Sequence, residues 1–114
     1  MGLDFRHLKG DTFDTVNFEV KINDQPVNLT GATIKMQLRK DAYDHVTPPT
    51  LSFTSVGNSG ITITQPLLGK FNINQQIIDI DVFKYFYDIQ ITFPTGVVKT
   101  YINGFFDVLI DVSI

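Results

Sequence analysis

Cysteine is absent from all 114 residues. Without it there is no disulfide framework and no thiolate zinc site, although its absence leaves the compartment open. Charge is also scarce: 18% of the residues are Asp, Glu, Lys or Arg, against roughly 25% in an average soluble domain. A chain so sparing in charge often has surface to hide in a partner. The formal net charge is −3, and the nine Lys and Arg are scattered, with Arg39-Lys40 their only adjacent pair. A nucleic-acid binder normally carries a basic stripe, so the charge argues against that class of partner. Apolar runs are short, far below the ~20 residues that cross a bilayer, so no membrane insertion is expected. The start, MGLDFRHLKG, has no apolar core of a signal peptide. Arg6 stands where a myristoylation signal needs Ser or Thr. No GxSxG, phosphate-cradling glycine loop or HExxH occurs, and no serine has a neighbouring histidine.

What the chain does have is alternation. In Tyr85 to Phe93, YFYDIQITF, the residues Tyr85, Tyr87, Ile89, Ile91 and Phe93 fall on one face of an extended strand. Asp88, Gln90 and Thr92 fall on the other, with only Phe86 out of place. A period of two is that of a half-buried β-strand. The same pattern predicts strands over Asp11 to Ile22, Ala32 to Arg39, Leu51 to Thr54, Ile61 to Thr64, Lys70 to Asn74, Val97 to Ile102 and Phe105 to Ser113. Val27 to Leu29 reads as a short extended piece. Gln75 to Phe83 fits either a strand or a single helical turn. Turn chemistry separates these elements: Asn23-Asp24-Gln25-Pro26, Gly57-Asn58-Ser59-Gly60, Gln65 to Gly69 and Pro94-Thr95-Gly96. Gly104 is read as a bulge or a change of sheet.

Roughly seven to nine short strands, with turns about every ten residues, predict an all-β fold: a single antiparallel β-sandwich, with a small barrel as the alternative. The expected core is Ile34, Met36, Leu38, Tyr87, Ile89, Ile91, Val108 and Ile110. Residues 1–10 read as an N-terminal arm or edge segment and 11–114 as the sandwich domain, with which the sequence is expected to be complete.

Few residues suggest chemistry. DAYDH, from Asp41 to His45, places two carboxylates and an imidazole close together, but the Pro48-Pro49 pair and the flanking strands make it a solvated loop rather than a metal site. Asp79 and Asp81 share a strand face, as do Asp107 and Asp111, and both pairs read as outward polar faces. No metal or cofactor is expected, and no catalysis. Asn28-Leu29-Thr30 is formally a glycosylation sequon, read as chance. Tyr85 and Tyr87 belong to the core first. A buried Tyr needs a partner for its hydroxyl, and one of the two is expected to bond back to the backbone as a tyrosine corner.

Three stretches together carry a resemblance: Gly10-Asp11-Thr12-Phe13 leading into a strand; Pro26 to Ala32, PVNLTGA, followed by Ile34 to Arg39; and Tyr85 to Ile89, then Gly96, Thr100, Gly104, Phe106-Asp107-Val108 and Asp111-Val112-Ser113. In that order they resemble small virion proteins of tailed bacteriophages and prophages. They are similar to the Ig-like N-terminal modules of baseplate and fibre-anchoring proteins. The family pattern more often has Asp at Asn28 and Thr at Ser113. The resemblance covers most of the chain. It implies an Ig-like sandwich acting as a structural component of a phage particle, in its tail, baseplate or neck and head-fibre region. It implies a protein made in the bacterial cytoplasm and located in the virion, present in many copies or as a homo-oligomer, with other virion proteins as partners. The alternative is a carbohydrate-binding or adhesin module with a host glycan as ligand, for which Phe5, Phe13, Tyr43 and Phe86 are the candidate aromatics. Leu3, Phe5 and Leu8 have little to pack against in the arm's own pattern, and the 41–50 loop is long for a β domain. Leu3, Phe5, Leu8, Tyr43, His45 and Val46 are therefore the candidate partner contacts, with the arm able to add a strand to a neighbour's free edge.

Overall fold

The computed structural model describes residues 3–44 and 46–110. His45, Asp111, Val112 and Ser113 lie outside the described residues, so the expectations placed on them carry no structural account. The strands in chain order are β1 (Phe5–Leu8), β2 (Thr12–Phe13), β3 (Val16–Glu19), β4 (Lys21–Ile22), β5 (Gln25–Pro26), β6 (Thr33–Arg39), β7 (Leu51–Thr54), β8 (Ile61–Gln65), β9 (Lys70–Ile73), β10 (Gln76–Ile77), β11 (Phe83–Thr92) and β12 (Val98–Leu109). Short 3₁₀ turns at Val56–Asn58 and Pro66–Leu68 fill two of the connections.

The strands form a five-stranded sheet in the order β1-β12-β11-β6-β7 and a three-stranded sheet in the order β3-β9-β8, with two short ribbons, β10-β2 and β4-β5. Their apolar faces meet in one core. From the larger sheet come Ile34, Met36, Leu38, Tyr85, Tyr87, Ile89, Ile91, Phe106 and Val108, and from the smaller one Ile61, Phe71 and Ile73, all buried. The alternation that marks β6 and β11 in the sequence is the alternation of burial in the structure. The fold is all-β and sandwich-like.

The Asn23-Asp24 turn joins β4 to β5 with φ of 51° and 61° at its two central residues, the type I′ geometry that suits a two-residue hairpin. The expected first strand is divided into β2, β3 and β4. Just after β3, the Val20 N–H donates to the Gly69 carbonyl at 2.8 Å. Val27 to Leu29 lies outside any strand, and of Gln75 to Phe83 only Gln76–Ile77 and the first residue of β11 are extended.

Three further expectations are corrected. Ile110 is 68% exposed: it follows Leu109, which ends β12 and is the last residue in register with β1. One strand pairing is parallel, that of β1 with β12, within an otherwise antiparallel large sheet. Gly104 does not interrupt β12. The register shift lies at Ile89/Gln90, with Tyr101 as the extra residue on the partner strand. Gly104 is needed because the chain at Leu3 crosses it. A Cβ there would fall inside contact distance of the Leu3 carbonyl oxygen and 2.7 Å from Asp4 Oδ1.

Residues 3–10 consequently lie along the sheet instead of standing apart from it. Leu3 N–H donates to Asn103 O at 3.0 Å, Phe105 N–H donates to Asp4 Oδ1 at 2.9 Å, and the Tyr87 hydroxyl donates to Leu3 O. Burial, then the charge of Asp4, raises the Tyr87 pKa. Phe5 packs its ring 5.8 Å from Phe13, 5.4 Å from Tyr87 and 5.5 Å from Phe106. His7 is buried beside Phe13, with Nε2 3.3 Å from the Ile78 carbonyl. Phe5 and His7 thus find their partners in β11, β12 and β2, contacts between distant positions that no local pattern reveals.

Candidate interaction surfaces

Arg39, the last residue of β6, organises the loop that follows. Its Nη1 donates to the Thr47 carbonyl at 2.6 Å and to the Asp44 carbonyl at 3.3 Å. Asp44 Oδ1 accepts the N–H groups of Val46 and Thr47, each at 3.0 Å, and Asp41 Oδ1 accepts that of Tyr43 at 2.9 Å. These are Asx-type turns, in which a short carboxylate satisfies the backbone ahead of it. The Thr47 side chain first, then the N–H groups of Thr47 and Val46, lower the Asp44 pKa to about 2, with the Arg39 charge contributing. The carboxylates of DAYDH are thus used to fold the loop. Among the described residues, no group of three or more His, Asp or Glu is placed to hold a metal ion.

The loop so fixed presents Tyr43, 92% exposed, and Val46, 95% exposed. Of the other candidate contacts, Leu3 and Leu8 are partly exposed along the β1 edge, whereas Phe5 is half-buried in the aromatic cluster and faces the core. Phe5 thus packs its ring against the core from the β1 edge. The structure does not gather the candidates into one patch. β12 and β11 lie between β1 and β6, which at about 4.8 Å per strand separates the β1 edge from β6 by about 14 Å.

A second surface lies between them, on the outer face of the large sheet. Phe86 of β11 is paired in register with Arg39 on β6 and Phe105 on β12. The two phenyl rings sit 5.1 Å apart at 45°, and Lys84 Nζ lies 4.6 Å over the Phe105 ring. They line a groove of about 370 Å³ together with Gln37, Asp88, Gln90 and Asn103. Of the four candidate aromatics, Phe13 is buried, Phe5 is half-buried against the core, Tyr43 is on the loop, and Phe86 alone of the four lines this groove. Phe105 is the partner that the sequence reading missed. Only half of the signal was present: Phe86 breaks the alternation of its strand, but the register of the 94–96 hairpin alone would set Gly104 opposite it, and the bulge at Tyr101 is what brings Phe105 there.

The remaining singled-out residues have structural roles. Asp79 and Asp81 are exposed; Asp79 pairs with Lys9 at 3.1 Å, and the Asp81 carbonyl accepts the Tyr85 hydroxyl at 2.7 Å. Burial, then the Asp81 charge, raises the Tyr85 pKa. Asn28 Oδ1 accepts the Thr30 N–H at 3.0 Å, closing the turn before Gly31, whose φ of 74° suits glycine. Among the described residues, no helix is long and apolar enough to cross a membrane. In comparisons with known proteins, no family model matches the chain, and none of the curated proteins resembles it significantly.

Proposed function

We propose that the chain is a structural, non-catalytic assembly module of Ig-like type and a component of a bacteriophage particle, in its tail, baseplate or neck and head-fibre region. The observation that carries the reading is the Arg39-stapled loop. Exposed loops are normally polar, and a loop that fixes its backbone with three carboxylate-accepted N–H bonds and an Arg clamp to hold Tyr43 and Val46 in water has the form of a preorganised contact. Ordering the loop before it meets a partner lowers the entropy cost of docking, and Tyr is among the residues enriched at interface centres.

Two features support the Ig-like assignment. When the strands are lettered along the chain with β3 as B, β6 as C, β8 as D, β9 as E, β11 as F and β12 as G, the sheets run B-E-D and G-F-C, which is the order of the Ig scheme. Tyr85, near the start of β11, donates to a carbonyl four residues upstream, as a tyrosine corner does. The virion assignment rests on the sequence resemblance, with Asn28, Thr30 and Gly31 building the turn on which one of its motifs depends.

The test is compositional. Particles purified from the host that encodes the chain are analysed by quantitative mass spectrometry, and the gene is then replaced by a Tyr43→Ser/Val46→Ser variant. The expected result is the chain in fixed stoichiometry in wild-type particles and its loss from variant particles, while the isolated variant melts like wild type. Particles that lack the wild-type chain overturn the reading.

A further inference from the structure

We propose that the groove on the outer face of the large sheet binds a saccharide, with Phe86 and Phe105 as its apolar floor and Arg39, Asp88, Gln90 and Asn103 as its hydrogen-bonding rim. The inference stands on the groove alone and does not require the assembly role assigned to the 41–50 loop.

Three properties of the groove point to this ligand class. The first is its mixture of chemistry. Two phenyl rings 5.1 Å apart offer an apolar surface suited to the C–H face of a pyranose ring. Around them stand a guanidinium, a carboxylate and amide groups, the planar donors and acceptors that engage neighbouring hydroxyls in pairs. At about 370 Å³, the groove falls near the lower end of the range of small-molecule sites, roughly 300–1,000 Å³.

The second is charge. Among the described residues, Arg39 and Asp88 are the only charged ones of the lining and are opposite in sign. The lining therefore has no net charge with which to favour a phosphate chain. Lys84 lies outside the lining, with its ammonium held over one face of Phe105, and an acidic saccharide probes whether that single charge is felt in the groove.

The third is backbone accounting. A peptide that binds a sheet by strand addition needs a free edge. The groove lies over β6, β11 and β12, and β11 is paired on both sides, with β6 and with β12. Over β11, at the centre of the groove, no backbone ladder is on offer, so a ligand seated there is recognised through side chains. Those side chains are preorganised: Phe86 and Phe105 are a cross-strand pair, and Arg39 is clamped by Asp44 O, Thr47 O and Gln37 Oε1. A site held in place before binding loses less entropy on binding.

The experiment is an amide chemical-shift titration of the full chain with three probes: maltotetraose and chitotetraose as neutral oligomers and tetragalacturonate as an acidic one. At probe concentrations up to about 10 mM, where even weak sites fill, at least one saccharide is expected to shift the amides of residues 86–90 and 103–105. Phe86→Ala and Asn103→Ala, both at exposed positions, are expected to weaken that binding about tenfold or more each while the rest of the spectrum stays that of the folded chain. A response to the neutral oligomers supports a neutral glycan, and a response to the uronate alone supports an acidic one. Absence of shifts with every probe overturns the proposal. So do shifts that map elsewhere or survive both substitutions, and so does a groove that responds to a library of extended peptides but to none of the sugars.

Discussion

Gly104→Ala tests whether the N-terminal segment is an integral part of the sheet. The added Cβ would meet the Leu3 carbonyl oxygen and lie 2.7 Å from Asp4 Oδ1 and 2.9 Å from the Leu3 carbonyl carbon. Two of these three are backbone atoms, which cannot swing aside as a flexible side chain would. The structure has two ways to respond. Residues 3 and 4 can stay in place and strain the packing, at a cost of about 1–3 kcal/mol. Alternatively they can lift away and break the bonds from Leu3 N–H to Asn103 O, from Phe105 N–H to Asp4 Oδ1 and from the Tyr87 hydroxyl to Leu3 O. At about 0.5–1.5 kcal/mol net for each bond, that route costs about 1.5–4.5 kcal/mol. The cheaper route governs, so urea denaturation should show a loss of about 1–3 kcal/mol, with a melting temperature lower by at least about 4 °C. Hydrogen exchange at the Leu3 and Phe105 amides tells the routes apart, because only lifting exposes them. Lifting also rehydrates the Tyr87 hydroxyl, so its raised pKa should fall toward the ordinary tyrosine range. Tyr87→Phe alone should cost about 1 kcal/mol, and much less in the Gly104→Ala background if the segment has already left. A Gly104→Ala protein within about 0.5 kcal/mol of wild type, with both amides still protected, would refute the reasoning.

Other substitutions probe the core, the corner and the loop. Tyr85→Phe should destabilise by about 1 kcal/mol through loss of the bond to Asp81 O, and an unchanged urea midpoint would show that the hydroxyl is not engaged. Val108→Ala should cost about 2 kcal/mol, whereas Ile110→Ser should stay within about 0.5 kcal/mol, because the first side chain is buried and the second exposed; comparable losses from the two would contradict the end of β12 at Leu109. The Asp44 carboxyl is held near a pKa of about 2, below its unfolded value of about 3.9. The stabilisation it gives the loop is therefore complete above about pH 4 and is lost as pH falls from there through about 2. Amide shifts of Val46 and Thr47 should titrate with a midpoint near pH 2, and a midpoint near 4 would mean that the Asp44 bonds do not form in solution.

How much of this was legible in the sequence follows from the range of the interactions. Within one strand, burial alternates with the residue number, so β6, β11 and the inward Phe106 and Val108 could be read directly. Turns were equally legible where local chemistry decides them, as at Asn23-Asp24. Ile110 shows where alternation misleads: the apolar pattern continues after the strand itself has ended at Leu109. Gly104 shows the same limit for glycine. Its lack of a side chain was visible, but the Leu3 backbone that requires it lies about a hundred residues earlier in the chain.

The two surfaces were legible to different degrees for the same reason. The length and composition of the 41–50 loop marked it in the sequence, and Tyr43 and Val46 are indeed its exposed apolar side chains. What could not be read was that Arg39, which as a strand residue looks like any outward charge, is the clamp that gives the loop its shape. On the sheet face, Phe86 was visible as an exception to its strand's alternation, and an exception of that kind has two physical readings. Either a neighbouring element covers the ring, or the ring faces solvent for a reason beyond folding. Phe86 remains 37% exposed beside Phe105, so the fold covers it only in part. A paired aromatic floor on the face of a sheet turned away from its core gains a cross-strand contact worth about 0.2–1 kcal/mol but leaves apolar surface in water, where it invites non-specific association, and the saccharide site proposed for the groove gives that surface a use.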